Sequence, residues 1–174
     1  TFGGFQHKFD ERSIFEVTEE EREAKFEELY NLPGFGIWLG NFPEIMNNLE
    51  ANGMISDFIA RKIRSRVNDP ELAEKLIPKN HGFGTRRVPL ETKYFECYNQ
   101  ENVNLVSLPE TPIESITPKG VKCSDKEYEL DILVYATGFE GVMGALNRID
   151  ITGKNGQKLK DKWANGPRTM LGLQ

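Results

Sequence analysis

The chain has 174 residues, of which 38% are hydrophobic and 28% are charged, a composition typical of a folded globular domain and not of a disordered segment. Its net charge of −5 argues against nucleic acid as the main partner, and no apolar run approaches the roughly 20 residues of a membrane-spanning helix. Two cysteines without C-x-x-C spacing and no visible targeting segment favour a cytoplasmic location.

The first predicted helix covers residues 19–30, after a loop at residues 1–10. Thr18 and Glu21 have the spacing of a capping box, in which each side chain satisfies the other residue's backbone amide. Acidic residues crowd the first turn, where the helix dipole favours negative charge. Pro33 and Gly34 are expected to end the helix.

A second helical region is predicted over residues 43–67, with an interruption near Asn52 and Gly53. Apolar residues recur there at helical spacing and predict a buried stripe: Ile55, Phe58, Ile59, Ile63 and Val67. The basic residues of this region lie mostly off that stripe, and a solvated face is favoured over phosphate binding. Asp69 and Pro70 then open a short third helix as N-cap and first residue.

The second half of the chain predicts strands at residues 102–108, 112–117, 121–123 and 127–135, with a turn at Pro118-Lys119-Gly120. The last strand is apolar on both faces, which is typical of a sheet covered on both sides. It ends at Ala136-Thr137-Gly138, whose small residues would let the backbone pass close to another body. The simplest alternative is a final strand with a tight exit and no binding role.

Several common site motifs are absent from the sequence. Gly34-Phe35-Gly36 and Gly82-Phe83-Gly84 do not extend to the dinucleotide motif G-x-G-x-x-G, and neither follows a predicted strand, so both are interpreted as loop glycines. The serine-nucleophile motif G-x-S-x-G is missing. No metal site is predicted, because the two histidines, His7 and His81, lie far apart without ligand spacing.

Arg86 and Arg87 are the remaining candidates for a binding or catalytic site. Successive side chains of an extended segment point to opposite sides, so one arginine pair can serve two anionic positions. Arginine stays charged and binds phosphate with two donors. Residue chemistry alone nevertheless favours the alternative that both are surface arginines paired with some of the many glutamates.

Taken in order, these tracts resemble the Baeyer–Villiger monooxygenases. Residues 78–89, P-K-N-H-G-F-G-T-R-R-V-P, are similar to the family's segment around its active-site arginine, and residues 94–103 to the tract that follows. Residues 112–121 and 128–139 resemble the family's A-T-G-F region, and residues 146–169 the stretch after it. The helices of residues 18–76 look like the family's helical insertion.

The resemblance implies an α/β (mixed) fold: a helical insertion plus part of a Rossmann-like NADP-binding domain, within a flavoprotein that has two dinucleotide-binding domains. Residues 1–79 would be the insertion, residues 80–140 the later part of the NADP domain ending in the A-T-G linker, and residues 141–174 the crossing toward the FAD domain. The chain departs from the family by lacking both G-x-G-x-x-G motifs. Arg86 stands where a lysine is usual and Glu140 where the family has Asp, and residues 2–7 only echo the family fingerprint F-x-G-x-x-x-H-x-x-x-W.

The resemblance also implies an activity and residue roles. The complete enzyme would use FAD and NADPH to insert one oxygen atom of O2 into a ketone, giving an ester or lactone, whereas this chain alone is expected to bind neither cofactor and to be inactive. Arg87 would be the catalytic residue, and the cofactor-binding residues would be Arg86, Arg87, Ala136, Thr137 and Gly138. Arg86 would meet the 2′-phosphate of NADPH. Two other interpretations stay open: a non-catalytic α+β interaction module, and a flavin monooxygenase that oxidises nitrogen or sulfur.

Overall fold

The computed structural model describes residues 7–141 and 143–169, so most of the fingerprint echo at residues 2–7 and of the predicted loop at residues 1–10 lies outside the described part. The chain divides into two compact units, Thr1–Pro112 and Ile113–Gln174. The first unit is helical and the second contains the sheet. Each unit is described by itself below.

Helices form the first unit. Their bounds are α1 Glu19–Asn31, α2 Gly36–Leu39, a 3-10 turn at Pro43–Met46, α3 Leu49–Arg66, α4 Pro70–Leu76 and α5 Tyr94–Cys97. The capping box of α1 is confirmed: the Glu21 amide donates to Thr18 Oγ1 at 3.2 Å, and the Thr18 amide donates to the Glu21 carboxylate at 2.9 Å. Asp69 caps α4, with Pro70 at its first position, as predicted.

The predicted interruption near Asn52 and Gly53 is wrong, because α3 runs through both residues without a break. The chain instead breaks before α3, where the Asn48 side chain accepts hydrogen bonds from the amides of Glu50 and Ala51 and so caps the helix. A single glycine inside an 18-residue helix costs only about 1 kcal/mol, which the packing of α3 outweighs.

The core of the helical unit is built on α3. Its predicted stripe is confirmed, since Ile55, Phe58, Ile63 and Val67 are buried and Ile59 is half-buried. Phe58 packs against Phe26 of α1, with ring centroids 5.4 Å apart. A larger set of apolar side chains completes this core: Ile14, Phe42, Ile45 and Ala51.

The basic face of α3 is solvated, as predicted, at Arg61 and Arg64, whereas Lys62 and Arg66 are half-buried. All four charges are paired with glutamates of other segments. Arg61 bonds Glu23 at 2.6 Å and Lys62 bonds Glu27 at 2.7 Å, both on α1. The Arg61–Glu23 pair is the more exposed of the two, and an exposed pair contributes little to stability, about 0–1 kcal/mol. Pairing nevertheless leaves this face with little free positive charge for a phosphate.

The second unit contains a three-stranded antiparallel sheet in the order β1-β2-β3. Its strands are β1 Ile113–Thr117, β2 Gly120–Cys123 and β3 Glu127–Glu129, which confirms the predicted hairpin at Pro118-Lys119-Gly120. Gly120 is required there because a Cβ would lie 2.0 Å from the carbonyl oxygen of Tyr128. Two short helices follow, α6 Gly144–Asn147 and α7 Leu159–Lys162, and Trp163 is buried directly after α7.

Two predicted strands differ from the structure. Residues 102–108 form no strand, and the strand predicted at residues 127–135 ends at Glu129. A strand exists only where a neighbouring strand accepts its hydrogen bonds. Among residues 7–141 and 143–169 no strand pairs with the chain beyond Glu129, and the Leu130 amide donates to the Lys119 carbonyl in the turn. Ile132 is 80% exposed and Val134 is 78% exposed, so the prediction that they are buried is also wrong for this chain.

The fold is therefore mixed α/β with a small antiparallel sheet. None of the helices in the described part of the chain has the length and apolar character needed to cross a bilayer.

Candidate functional site

Residues 82–91, called the arginine loop below, carry Arg86 and Arg87 and belong to the helical unit. The Thr85 amide donates to the Gly82 carbonyl at 3.3 Å, which closes a turn around Gly84. Gly84 has a φ of +74°, and a Cβ there would lie 2.8 Å from Trp38 Nε1. Both the left-handed backbone and the close approach require glycine, so these are structural glycines of a loop, as predicted.

Arg86 and Arg87 are exposed and make no ion pair with any described residue. The alternative that they are surface arginines paired with glutamates is therefore not what the structure contains. Arg61, Arg64 and Arg66 of α3, by contrast, all bind glutamates. The Arg87 guanidinium carbon lies 6.0 Å from the centre of the Phe35 ring, at the outer limit of a cation–π contact, so its charge remains available to a ligand.

Both arginines line a groove of about 1140 Å³ in the helical unit, slightly above the usual range for small-molecule sites, about 300–1,000 Å³. Its walls are mainly apolar, with Phe35, Trp38 and Phe83 among them. The Trp38 indole N–H is buried and has no hydrogen-bond partner among the residues that the structure describes. The groove thus combines apolar walls with positive charges that have no ion-pair partner among the described residues: Arg86, Arg87 and Lys93.

Two side chains of α3 hold the start of the arginine loop. Asn52 Nδ2 donates to the Phe83 carbonyl at 2.8 Å, and the Phe83 amide donates to Ser56 Oγ at 2.9 Å. Asn52 is buried and also donates to the Ile45 carbonyl at 2.7 Å. Both residues were missed by the sequence interpretation. Asn52 lies on the same helical stripe as Ile55 and Ile59, and a polar residue on a buried stripe indicates a side chain with fixed partners.

Arg66 at the end of α3 holds the other end of the loop. It makes paired hydrogen bonds to Glu91, the shorter at 2.7 Å, and to Glu96, the shorter at 2.6 Å. A further bond joins it to Tyr30 Oη at 2.9 Å. The Arg66 guanidinium lowers the pKa of Glu96 to about 2 and also lowers the pKa of Glu91. The sequence interpretation assigned Arg66 only to a solvated face.

The predicted residues Ala136, Thr137 and Gly138 lie in the other unit, outside its strands and helices. All three are exposed, and Gly138 has a φ of +81°. This left-handed backbone conformation favours glycine, but residues 136–138 form no turn or bend in the structure. A Cβ on Gly138 would meet nothing within 4 Å, so the backbone conformation alone accounts for glycine here.

The chemistry of this arrangement is that of fixed positive charge. Within residues 7–141 and 143–169, no group of three or more His, Cys, Asp or Glu side chains could hold a metal ion. Two guanidinium groups in an apolar groove can bind phosphate or carboxylate and can stabilise negative charge that develops in a reaction. Arginine cannot serve as the proton donor or acceptor at ordinary pH.

Comparisons with known proteins identify relatives across almost the whole chain. It is 54% identical over 170 residues to 2-oxo-Δ3-4,5,5-trimethylcyclopentenylacetyl-CoA monooxygenase of Pseudomonas putida, matching 98% of this chain and 31% of that protein. It is 42% identical to cyclopentanone 1,2-monooxygenase of a Comamonas species, with 99% and 32% covered. A phenazine N-monooxygenase of Lysobacter antibioticus is 43% identical, with 92% and 30% covered. No protein-family model matches the chain.

A solved structure agrees with the fold found here. The crystal structure of OTEMO in complex with FAD and NADP superposes with a TM-score of 0.93 at 54% identity, over 98% of this chain and 32% of that one. The chain spans about a third of the length of the relatives it matches. Homology at this level over nearly every residue means that the chain belongs to the Baeyer–Villiger monooxygenase family.

Proposed function

We propose that this chain is part of an FAD- and NADPH-dependent monooxygenase that inserts one oxygen atom of O2 into a ketone. The products would be an ester or lactone, NADP+ and water, from ketone, O2, NADPH and a proton. The observation that carries this proposal is the pair Arg86 and Arg87, which lines an apolar groove without any carboxylate partner among the described residues, whereas the arginines of α3 are all paired.

The two arginines fit different parts of this chemistry. Arg86 stands at the bend of the loop, with no aromatic or acidic contact among the described residues, and is free to meet a phosphate. We assign it to the 2′-phosphate of NADPH. Arg87 lies near Phe35 in the groove, and we assign it the catalytic role of stabilising the negative charge that grows during oxygen insertion. FAD, when bound, supplies electron transfer from NADPH to oxygen.

The rest of the chain has a consistent place in this proposal. Residues 1–79 would be the helical insertion, residues 80–140 the later part of a Rossmann-like NADP domain, and residues 141–174 the crossing toward the FAD domain. The exposed apolar residues between Leu130 and Phe139 would join a sheet completed by the rest of a full-length enzyme. Ala136, Thr137 and Gly138 would bind cofactor at the link between the two domains.

The wider setting follows from the same proposal. The partners would be a small-molecule ketone and O2, with no nucleic acid and no membrane, in the cytoplasm. We expect this chain, purified alone, to carry no FAD, because most flavin contacts come from a Rossmann unit whose glycine motif it lacks. Visible absorption of the purified chain tests this, and stoichiometric flavin would contradict it.

The decisive experiment separates the two arginines in a full-length enzyme, meaning one of the relatives' length that carries this sequence. Arg86→Ala should raise the KM for NADPH roughly ten- to a hundredfold and leave that for NADH nearly unchanged, because it removes a charge-assisted bond to phosphate. Arg87→Ala should lower the rate of oxygen insertion by at least about a hundredfold, as loss of an oxyanion donor does.

Stopped-flow measurement of flavin reduction and of ester formation, recorded separately, distinguishes these effects. Arg61→Ala is the matched control, since Arg61 is an exposed arginine paired with Glu23 on the outer face of α3. Ester formation at the parent rate by Arg87→Ala would remove its catalytic assignment. Loss of NADPH affinity alone in both variants would make the pair a phosphate clamp without a role in oxygenation.

A second candidate function is oxidation of a ring nitrogen. It is favoured by one observation, the 43% identity to a protein named phenazine N-monooxygenase. Cofactor use would be the same, and only the oxygen acceptor would differ. Product analysis with a ketone and with an aromatic N-heterocycle offered together to the full-length enzyme decides between them, and N-oxide as the main product would overturn the ketone assignment.

A further inference from the structure

The backbone of Phe83 is held on both sides by one turn of α3. Its carbonyl accepts from Asn52 Nδ2 at 2.8 Å, and its amide donates to Ser56 Oγ at 2.9 Å. Ser56 Oγ in turn donates to Asn52 Oδ1 at 3.2 Å, so the two side chains also fix each other. Residues four apart lie on one face of a helix, and here the two side chains of that face satisfy both backbone groups of Phe83.

Gly82 makes this contact sterically possible. A Cβ on Gly82 would lie 1.8 Å from Asn52 Oδ1, well inside any real contact. The loop can therefore approach the Asn52 side chain only with glycine at this position. Three residues thus form one lock, which is defined here as Asn52, Ser56 and Gly82.

A second attachment limits the same loop at its far end, where Glu91 binds Arg66. Ser56 and Arg66 are ten residues apart on α3, about 15 Å along the helix. The eight steps from Phe83 to Glu91 could reach about 26–29 Å if fully extended, so this span has slack and the Arg66 attachment alone cannot fix its middle. Arg86 and Arg87 lie only three and four residues after Phe83, where the lock has most control over the backbone.

We propose that Asn52 and Ser56 are positioning residues for Arg86 and Arg87, which rests on the role of these arginines proposed above. The lock fixes the backbone just before the arginine pair and so sets where each guanidinium enters the groove. Neither residue is assigned a contact with substrate or cofactor. Their effect on binding is transmitted through the backbone of residues 83–87.

The substitution to make is Ser56→Ala in the full-length enzyme, because Ser56 is half-buried and the change removes one hydroxyl. Asn52 Oδ1 loses its bond from Ser56, but Asn52 Nδ2 keeps its bonds to the Ile45 and Phe83 carbonyls. Ser56→Thr keeps the hydroxyl and is the rescue variant. Ser65→Ala is the matched control: it removes an exposed hydroxyl from the same helix, where it donates only to the Lys62 carbonyl.

The first measurement is amide hydrogen exchange. Loss of the acceptor should speed exchange at Phe83 on the order of five- to tenfold, as expected for one hydrogen bond. The second is the ratio of the dissociation constants for NAD+ and NADP+. Ser56→Ala should lower this preference for NADP+ about fivefold, because Arg86 is no longer held for the 2′-phosphate. A purely structural role would weaken both nucleotides alike and leave the ratio unchanged.

Faster exchange with a lowered ratio in Ser56→Ala, both restored in Ser56→Thr and absent in Ser65→Ala, supports the proposal. Faster exchange with an unchanged ratio overturns it and leaves the proposed function intact, provided that Arg86→Ala still lowers the ratio. Unchanged exchange at Phe83 also overturns it. If Arg86→Ala itself leaves the ratio unchanged, the assigned role of the arginine fails, and the positioning role fails with it.

Discussion

The two units of this chain differ in how far each completes its own structure. In the helical unit the side chains of Phe26, Phe42 and Ile55 are fully buried, and the long helix α3 has its basic side chains paired. In the sheet unit several apolar residues between Leu130 and Phe139 face solvent, and the side chain of Phe139 is fully exposed. A unit with a closed core can position a site by itself, whereas a unit with open apolar segments depends on further chain for its final form.

The largest expected effect tests the closed core. Phe58→Ala should lower the free energy of unfolding of the chain by about 3–5 kcal/mol, because a buried aromatic ring is replaced by a cavity. Urea unfolding followed by circular dichroism measures it. Leu49→Ala is the matched control, since Leu49 is on the same helix but 93% exposed. Equal effects for the two variants would mean that the α3 stripe is not the core.

A smaller effect concerns pH and the Arg66 cluster. Arg66 lowers the pKa of Glu96 from 4.5 to about 2. A lowered carboxyl pKa adds stability that is present above the unfolded value and is lost as pH falls through the folded value. The difference in unfolding free energy between the parent and Arg66→Met should therefore shrink as pH falls from about 4.5 to about 2.

The control for this pH dependence is Arg64→Met, which breaks a more exposed pair with Glu74 and should change stability less at neutral pH. A difference between the parent and Arg66→Met that stays constant across this pH range would show that the ion pairs contribute no pH-dependent stability. The helical unit would then rely on its apolar core alone.

The smallest expected effect tests the open unit. Ile132→Thr should change the unfolding free energy of this chain by less than about 0.5 kcal/mol, because the side chain is 80% exposed. In the full-length enzyme the same change should cost more if the segment joins a larger sheet. Thermal unfolding of the chain and of the full-length enzyme measures the loss of stability caused by Ile132→Thr in each. A large loss in the chain alone would show that residue 132 already belongs to a closed core, which would contradict the difference between the two units.

Local signals in the sequence predicted the helical unit well. The Thr18 capping box, the Asp69-Pro70 start and the α3 stripe all depend on residues within a few positions of one another, and all are present in the structure. The strand predicted at residues 127–135 forms only over Glu127–Glu129, because strand formation depends on a distant partner. Apolar character alone does not supply that partner.

The candidate site was predicted only in part. The sequence singled out Arg86 and Arg87 but favoured their pairing with glutamates, which the described part of the structure does not contain. The number of glutamates in the sequence does not predict which arginines form ion pairs with them. The pairing depends on how α1, α4 and α5 pack around α3. The lock on Phe83 joins residues 31 positions apart, a distance at which no periodicity in the sequence carries information.

One glycine of α3 bears on how the protein could be made more tolerant of heat. Gly53 lies inside the helix, next to Asn52, and a Cβ there would meet nothing within 4 Å. Alanine is favoured over glycine in a helix interior by about 1 kcal/mol. Residue 53 is therefore a position where alanine in place of glycine can raise thermal stability. At Gly82 in the arginine loop, by contrast, a side chain would collide with Asn52.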